Sequence, residues 1–242
     1  MIIIVSGEGA TDIGYCTDAA AICEPPEFQP GAMGAFIDAL VSPIWGYSPL
    51  ESTGIRFMRK AELGRRGREK RGMSLPGKKR GKDTSFFFKN AMTLATYALQ
   101  VERSEKLPTM AVLFRDTDGT ASTERGARRK KLDSMNLGFE AAGYPRGVPM
   151  LPKPKSEAWL LCALKKNPYQ HCAELETISG NDNSPQSAKK QLAAALTAHE
   201  ATLSDLNQMI FTEQLVPAKI DMPSFNEFRA RLEEVARAML TN

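Results

Sequence analysis

Short apolar runs that end in turn-forming residues divide the first two thirds of the chain. Three of them cover residues 2–5, 110–114 and 148–151, and a shorter candidate covers residues 55–58. An apolar run of this length that stops at Gly, Pro or Asp is typical of a strand buried on both faces of a sheet. The pattern therefore predicts a buried sheet.

Between and after these runs, apolar positions recur at the spacing of amphipathic helices. The predicted helices cover residues 33–41, 85–105 and 123–142, a stretch that begins near Ser156, residues 187–199 and 201–212, and a last helix that Ser224 caps. Strands that alternate with helices imply an α/β fold with a mainly parallel sheet and helices on both faces. We expect residues 1–165 to form this core and residues 166–242 to form a helical C-terminal extension packed on it.

The last predicted helix carries an apolar stripe. A stripe at this spacing normally packs into the core of its own domain, and a contact with a second copy of the chain, in a homodimer, is the alternative. Its members are Phe225, Phe228, Leu232, Val235 and Met239.

Composition narrows the class of protein. Hydrophobic residues make up 42% of the chain and charged residues 25%, which are ordinary values for a soluble globular protein. No apolar stretch approaches the roughly 20 residues that cross a bilayer, so we expect no membrane contact. The four cysteines show no Cys-x-x-Cys pair, which predicts free thiols in the reducing cytoplasm.

Positive charge is concentrated in one segment. The whole chain has a net charge of +4, whereas residues 56–82 hold twelve Lys or Arg against two Glu. Five glycines and a proline in this segment disfavour a packed helix and predict an inserted basic arm. Such a local charge favours contact with nucleic-acid phosphates, and a solubilising surface loop is the alternative. The residues expected to contact phosphates are Arg59, Lys60, Arg65, Arg66, Arg68, Lys70, Arg71, Lys78, Lys79, Arg80 and Lys82.

Acidic residues follow two of the predicted strands. Asp116 and Asp118 come after the 110–114 run, and Glu8 lies between two glycines after the first strand. Ligands bind beyond the carboxyl ends of strands in open parallel sheets, and carboxylate oxygens are the ligands that Mg²⁺ prefers. We therefore expect a divalent-metal site. Asp12 either belongs to this site or caps the next helix. For the second motif, a solvated Asp-Thr-Asp-Gly turn is the alternative.

These motifs resemble the Toprim domain, which topoisomerases, primases and OLD-family nucleases share. The likeness rests on Glu8-Gly9-x-x-Asp12 after the first strand and on Asp116-x-Asp118 after a later one. The Pro-Lys-Ser-Glu-Ala-Trp-Leu-Leu stretch at residues 154–161 resembles small stand-alone relatives of the OLD nucleases, several of which are linked to phage defence. The likeness is good over residues 1–10 and 108–165, and the two acidic motifs are further apart than in a minimal Toprim domain.

The resemblance implies a Toprim/Rossmann-like fold and a nuclease that cleaves phosphodiester bonds of DNA or RNA with Mg²⁺ or Mn²⁺. The implied metal ligands are Glu8, Asp12, Asp116, Asp118 and Glu157. Catalytic roles fall to Glu8, Asp116, Asp118 and a lysine, for which the candidates are Lys155, Lys189 and Lys219, with Lys155 as the first choice. The resemblance also implies a partner ATPase and a role in phage defence.

Two other interpretations stay open. Residues 112–120 also resemble the first motif of haloacid dehalogenase-like phosphatases, in which Asp116 would be the nucleophile and Asp118 the general acid–base. Against this, no acidic pair follows as a second magnesium motif, and Glu8 and the basic segment are left without a role. The third interpretation is a Toprim module that binds nucleic acid or a partner without catalysis.

Overall fold

The computed structural model of the chain describes residues 1–69, 82–117 and 127–241, with only the backbone at residues 82 and 83. Several residues of the predicted sites therefore lie outside the described part. They are Asp118, Lys70, Arg71, Lys78, Lys79, Arg80 and the side chain of Lys82.

The centre of the fold is a five-stranded sheet. The described strands are β1 (Ile2–Ser6), β2 (Gly14–Cys16), β3 (Ile22–Cys23), β4 (Phe28–Pro30), β5 (Ile55–Met58), β6 (Thr109–Phe114) and β7 (Gly147–Met150). In the large sheet the order is β3-β5-β1-β6-β7, and β2 pairs separately with β4. The strands β5, β1, β6 and β7 are parallel, and only the edge strand β3 is antiparallel. The predicted mainly parallel α/β sheet is confirmed.

Helices cover both faces of this sheet. The described α-helices are α1 (Ala32–Trp45), α2 (Lys60–Glu69), α3 (Lys82–Glu105), α4 (Ala127–Ala141), α5 (Ser156–Leu164), α6 (Ala188–Ala198), α7 (Leu206–Phe211) and α8 (Pro223–Ala238). Because side chains alternate along a strand, Ile3 and Val5 of β1 join one core with α1, α5 and α8, whereas Ile2 and Ile4 join the other with α3 and α4. None of the described helices combines the length and apolarity needed to cross a membrane.

The strand order fixes where a ligand would bind. From β1 the chain passes through α1 to β5 on one side, and later strands are added on the other side of β1, first β6 and then β7. The order therefore reverses between β1 and β6. In doubly wound sheets, this point at the carboxyl ends of the strands is where ligands bind. Gly7 permits a close approach there, because a Cβ at this position would lie 3.0 Å from Cβ of Phe114 at the end of β6.

The basic segment is only partly as expected. Residues 60–69 form the helix α2, so the expectation that its glycines prevent a packed helix is wrong there. Tertiary contacts explain the difference: Leu63 is buried, and the guanidinium of Arg66 lies 4.6 Å from the ring centroid of Tyr97 on α3. Gly67 helps the two helices approach, because a Cβ there would lie 3.2 Å from Oγ1 of Thr93.

The cysteines are not free thiols. Cys16 is bonded to Cys23, and Cys162 is bonded to Cys172. The spacing of each pair resembles no motif, but the folded chain brings β2 near β3 and returns residue 172 to α5. The cytoplasmic location was predicted from free thiols, so the disulfide bonds remove the support for it.

The C-terminal helices extend the core on the α1 side. The apolar stripe of α8 is buried there, and Nε1 of Trp45 donates to the carbonyl of Ala236 at 3.1 Å. The stripe thus packs within its own chain. The homodimer stays a prediction, and the stripe no longer supports it. Ser224 is not the cap of α8: it lies in the first turn, where its Oγ accepts a hydrogen bond from Nε1 of Trp159 at 2.9 Å.

Candidate functional site

The loops after β1, β6 and β7 meet at Ser156, the fully buried first residue of α5. Its backbone N–H donates to Oδ1 of Asp116 at 3.0 Å, and its hydroxyl donates to Oδ1 of Asp12 at 2.5 Å. The same hydroxyl oxygen lies 3.4 Å from Oε2 of Glu157. One serine therefore gathers three of the predicted acidic residues from three separate loops. We call these residues the Ser156 cluster.

The loop after β1 is shaped to place Asp12 in this cluster. A short π-helical turn, Gly9–Ile13, carries Asp12 back over Gly9. Gly9 has a φ of +85°, and a Cβ there would lie 2.1 Å from Oδ2 of Asp12. A side chain at this position would be strained and would also displace the carboxylate. Of the two sequence-based alternatives for Asp12, the structure shows contact with the site.

The loops after β6 and β7 are tied to each other below the cluster. The backbone N–H of Arg115 donates to the carbonyl of Met150 at 3.0 Å, which continues the pairing of β6 and β7 past Phe114. Oγ1 of Thr117 donates to the carbonyl of Pro154 at 2.6 Å. Nζ of Lys131 on α4 donates to the carbonyl of Thr117 at 2.5 Å. These bonds fix Asp116 and Ser156 relative to each other.

Burial raises the pKa of two acidic residues of the cluster. It is the main cause of the raised pKa of Asp12, and the nearby charge of Glu8 acts in the same direction. Burial likewise raises the pKa of Glu157, with repulsion from Asp12 and Asp182 added to it. Buried carboxyl groups favour the protonated form until a cation binds them.

Glu8 lies next to the cluster but is bonded elsewhere. Its carboxylate forms an ion pair with Lys60 at the start of α2. Glu8 still influences the pKa of Asp12 and that of Arg115, which places it within electrostatic reach of both. The structure therefore brings together Asp12, Asp116 and Glu157, with Glu8 beside them.

Two lysines and a fifth acidic residue, Asp182, complete the surroundings. Nζ of Lys155 lies 3.1 Å from Oδ1 of Asp182, and Nζ of Lys189 lies 3.9 Å from Oδ2 of the same residue. Both lysines act against the rise in the pKa of Asp12. The third candidate lysine, Lys219, instead lies 6.0 Å from the ring centroid of Tyr169. Asp182 lies in the Ser179-Gly180-Asn181-Asp182 stretch, which also resembles the small stand-alone Toprim proteins, but no role in the site was predicted for it because Asn-Asp-Asn-Ser-Pro is typical of a turn.

Arg115 is the second residue that sequence reasoning missed. It directly precedes Asp116, and its side chain is only 1% exposed. Burial lowers its pKa to about 10, and Glu8 opposes this shift. A charged residue at the end of a buried strand could have been noticed in the sequence, but its burial could not.

Most of the basic side chains in residues 59–68 bind other groups of the same chain. Arg59 donates to the carbonyl of Cys16 at 3.2 Å, and Lys60 pairs with Glu8. Arg65 and Arg66 both bind the carboxylate of Glu62. Arg68 is exposed. Lys60 and Arg65 keep about half of their side-chain surface exposed, so they could contact a phosphate as well.

The residues fit a hard divalent cation in the type of ligand they offer. Among the residues that the structure describes, no three His, Cys, Asp or Glu side chains form a complete metal-binding group. Mg²⁺, however, usually keeps several waters and takes only one or two carboxylates from a protein. Asp12 and Glu157 are the candidates for these carboxylates, because their oxygens lie 2.5 and 3.4 Å from one hydroxyl, that of Ser156.

Comparison with protein-family models, curated proteins and solved structures found no match for this chain. The candidate site is therefore defined by its own geometry. The carboxylates of Asp12 and Glu157 could supply two ligands to a cation, two lysines lie beside them, and a buried guanidinium belongs to the residue that precedes Asp116. Such a set suits chemistry on an anionic substrate.

Proposed function

We propose that this chain is a divalent-metal-dependent nuclease that hydrolyses phosphodiester bonds of nucleic acid with Mg²⁺ or Mn²⁺. The observation that carries the proposal is the meeting of Asp12, Asp116 and Glu157 around Ser156. This meeting lies at the carboxyl ends of β1, β6 and β7, where the strand order reverses. The raised pKa values of Asp12 and Glu157 support a cation as an occupant of this position.

Each residue has a role in this proposal. Asp12, Asp116 and Glu157 would hold the ion, with Glu8 and Asp118 as further ligands that the Toprim resemblance implies. A bound ion would polarise a phosphoryl oxygen and lower the pKa of a water molecule. Lys155, held in place by Asp182, would stabilise negative charge on the leaving oxygen.

Nucleic acid as the substrate is supported by the charge distribution. The segment of residues 56–82 holds twelve of the 32 Lys and Arg residues of the chain against two Glu, and α2 within it contacts Glu8 through Lys60. Polyanions bind such surfaces with release of counterions, so binding should weaken as salt concentration rises. The partner ATPase, the role in phage defence and the cytoplasmic location stay predictions of the sequence.

The test is the substitution Asp116→Asn. It removes one negative charge while keeping an acceptor for the N–H of Ser156, and we expect Mn²⁺-dependent nicking of plasmid DNA or cleavage of RNA to fall by at least about 100-fold. The matched control is Asp133→Asn on α4, where the carboxylate pairs with Arg129 at the surface, and activity should not change. Cleavage that survives Asp116→Asn would refute the nuclease. Phosphate trapped covalently on Asp116 would instead establish the phosphatase alternative.

A further inference from the structure

The side chain of Arg115 takes no part in the Ser156 cluster. Along β6, side chains alternate between the two faces, and Arg115 follows Ala111 and Leu113 on the side of α3 and α4. The guanidinium lies 5.4 Å from the ring centroid of Phe86 on α3. Asp116, the next residue, contacts Ser156 instead. The carboxyl end of β6 thus presents a cation on one face of the sheet and an anion on the other.

The guanidinium of Arg115 is not satisfied by the fold. Nη1 donates to the carbonyl of Phe114 at 2.8 Å, but Nε and Nη2 are buried without a hydrogen-bond partner among the described residues. A buried charge that lacks partners costs several kcal/mol of stability. The acidic residue that acts on it, Glu8, has its carboxylate on Lys60. A structural arginine would be expected to have its carboxylate within the fold.

Geometry and chemistry suggest what could satisfy these donors. A guanidinium presents its N–H groups as a planar fork that matches two oxygens of a phosphate. Glu8 acts electrostatically on both Asp12 and Arg115, so a ligand on Arg115 would lie at the same end of the sheet as the Ser156 cluster. We propose that Arg115 is a binding site for a phosphate oxyanion of the nucleic-acid substrate. This inference rests on the proposed function, since it names a ligand of the same strand end.

One ring that covers the guanidinium is itself exposed. Phe86, which lies over the guanidinium, is 45% exposed although it is a large apolar residue. We infer that a ligand reaches Arg115 past this ring. Phe87, its neighbour in sequence, is buried in the core with α4 and would hold the helix in place.

The experiment compares Arg115→Met with Arg115→Lys. Binding of a short fluorescein-labelled oligodeoxynucleotide is measured by anisotropy in EDTA, so that no metal-dependent cleavage interferes. We expect Arg115→Met to weaken binding at least about tenfold and Arg115→Lys to recover it only in part, because the ammonium keeps the charge but loses the fork. The unaltered protein and both variants are also tested for thermal stabilisation by inorganic phosphate.

The stability of the variants provides an independent readout. Replacing an unpaired buried charge by an apolar side chain of similar length should leave the melting temperature unchanged or raise it. The matched control is Arg103→Met, which removes the same charge from the exposed last turn of α3, near the opposite end of β6, and should not alter binding.

Three results would overturn the inference. Oligonucleotide affinity that is unchanged in Arg115→Met would refute the site. A fall in melting temperature would show that the guanidinium has a partner within the fold. An effect on inorganic phosphate alone would make free phosphate, and not nucleic acid, the ligand. Failure of the nuclease proposal is detected separately. If the unaltered protein binds the oligonucleotide through Arg115 but shows no metal-dependent cleavage, only the nuclease proposal is refuted.

Discussion

Carboxylates occupy two contrasting environments in this protein. On α2, Glu62 is only 7% exposed, and Arg65 and Arg66 bind it with N–O distances of 2.7 and 2.6 Å. The hydrogen bond from Arg65 is the main cause that lowers the pKa of Glu62 to about 2. At the strand ends, Asp12 and Glu157 share the hydroxyl of a serine, and burial raises the pKa of each.

The difference separates a carboxylate that the fold pairs with arginines from carboxyl groups that the proposed function would pair with a cation. Around Glu62 the chain supplies its own positive charge. Around Ser156 the chain brings acidic residues together, and burial raises the pKa of two of them. Perturbed carboxyl groups that gather at a ligand-binding edge of the sheet are typical of functional sites. Arg115 shows the same distinction among cations: the arginines that bind Glu62 have a carboxylate, whereas two donors of Arg115 have no hydrogen-bond partner among the residues that the structure describes.

The largest effect should come from the strand-end carboxylates when metal is added. In Asp12→Asn the amide oxygen still accepts the hydroxyl of Ser156, but the negative charge is lost. We expect the affinity for Mn²⁺, measured by calorimetry, to fall at least about tenfold, while the metal-free protein is no less stable. Asp18→Asn, an exposed aspartate in the loop after β2, is the control. Equal Mn²⁺ affinities for Asp12→Asn and the unaltered protein would contradict the proposal that Asp12 binds the ion.

A smaller effect should come from Glu62. Glu62→Gln removes the charge that Arg65 and Arg66 share, and we expect the free energy of unfolding in urea to fall by about 1 kcal/mol, since the partners are partly exposed. Glu69→Gln removes the other carboxylate that binds Arg65. The side chain of Glu69 is 61% exposed, so this substitution should lower the free energy of unfolding by less. Metal affinity should not change in either variant. Equal destabilisation by the two substitutions would contradict the structural role of Glu62.

The smallest effect should be an opposite dependence of stability on pH. Because the folded state lowers the pKa of Glu62 from 4.5 to about 2, its stabilising contribution is present above pH 4.5 and is lost as the pH falls toward 2. Asp12 has a raised pKa, so its contribution has the other sign: it is greatest at low pH and is lost as the pH rises through the raised pKa.

Urea unfolding of the metal-free protein across the acidic range measures both contributions. Relative to the unaltered chain, Glu62→Gln should lose less stability on acidification, and Asp12→Asn should lose less as the pH is raised from the acidic range. Parallel curves for the two variants would show that the two environments do not differ.

Local pattern was sufficient for much of the fold. The strand at Ile55–Met58 has the predicted bounds, and β1, β6 and β7 lie within one residue of theirs. Apolar runs of this kind have few alternatives to a buried strand, so the sequence specifies them locally. The same logic failed for α2, where glycine content predicted a loop. That helix depends on Leu63 and on contacts with α3, which no local propensity contains.

The amino-acid sequence by itself determined that acidic residues would follow buried strands in a parallel α/β sheet. Hydrophobic periodicity and turn residues are local properties, so they can be read along the chain. Only the tertiary structure decided that β1 lies next to β6, that Ser156 joins Asp12 to Asp116, and that Arg115 is buried with unsatisfied donors. Those features depend on contacts between residues far apart in the chain, and such contacts exist only once the sheet and its helices have packed.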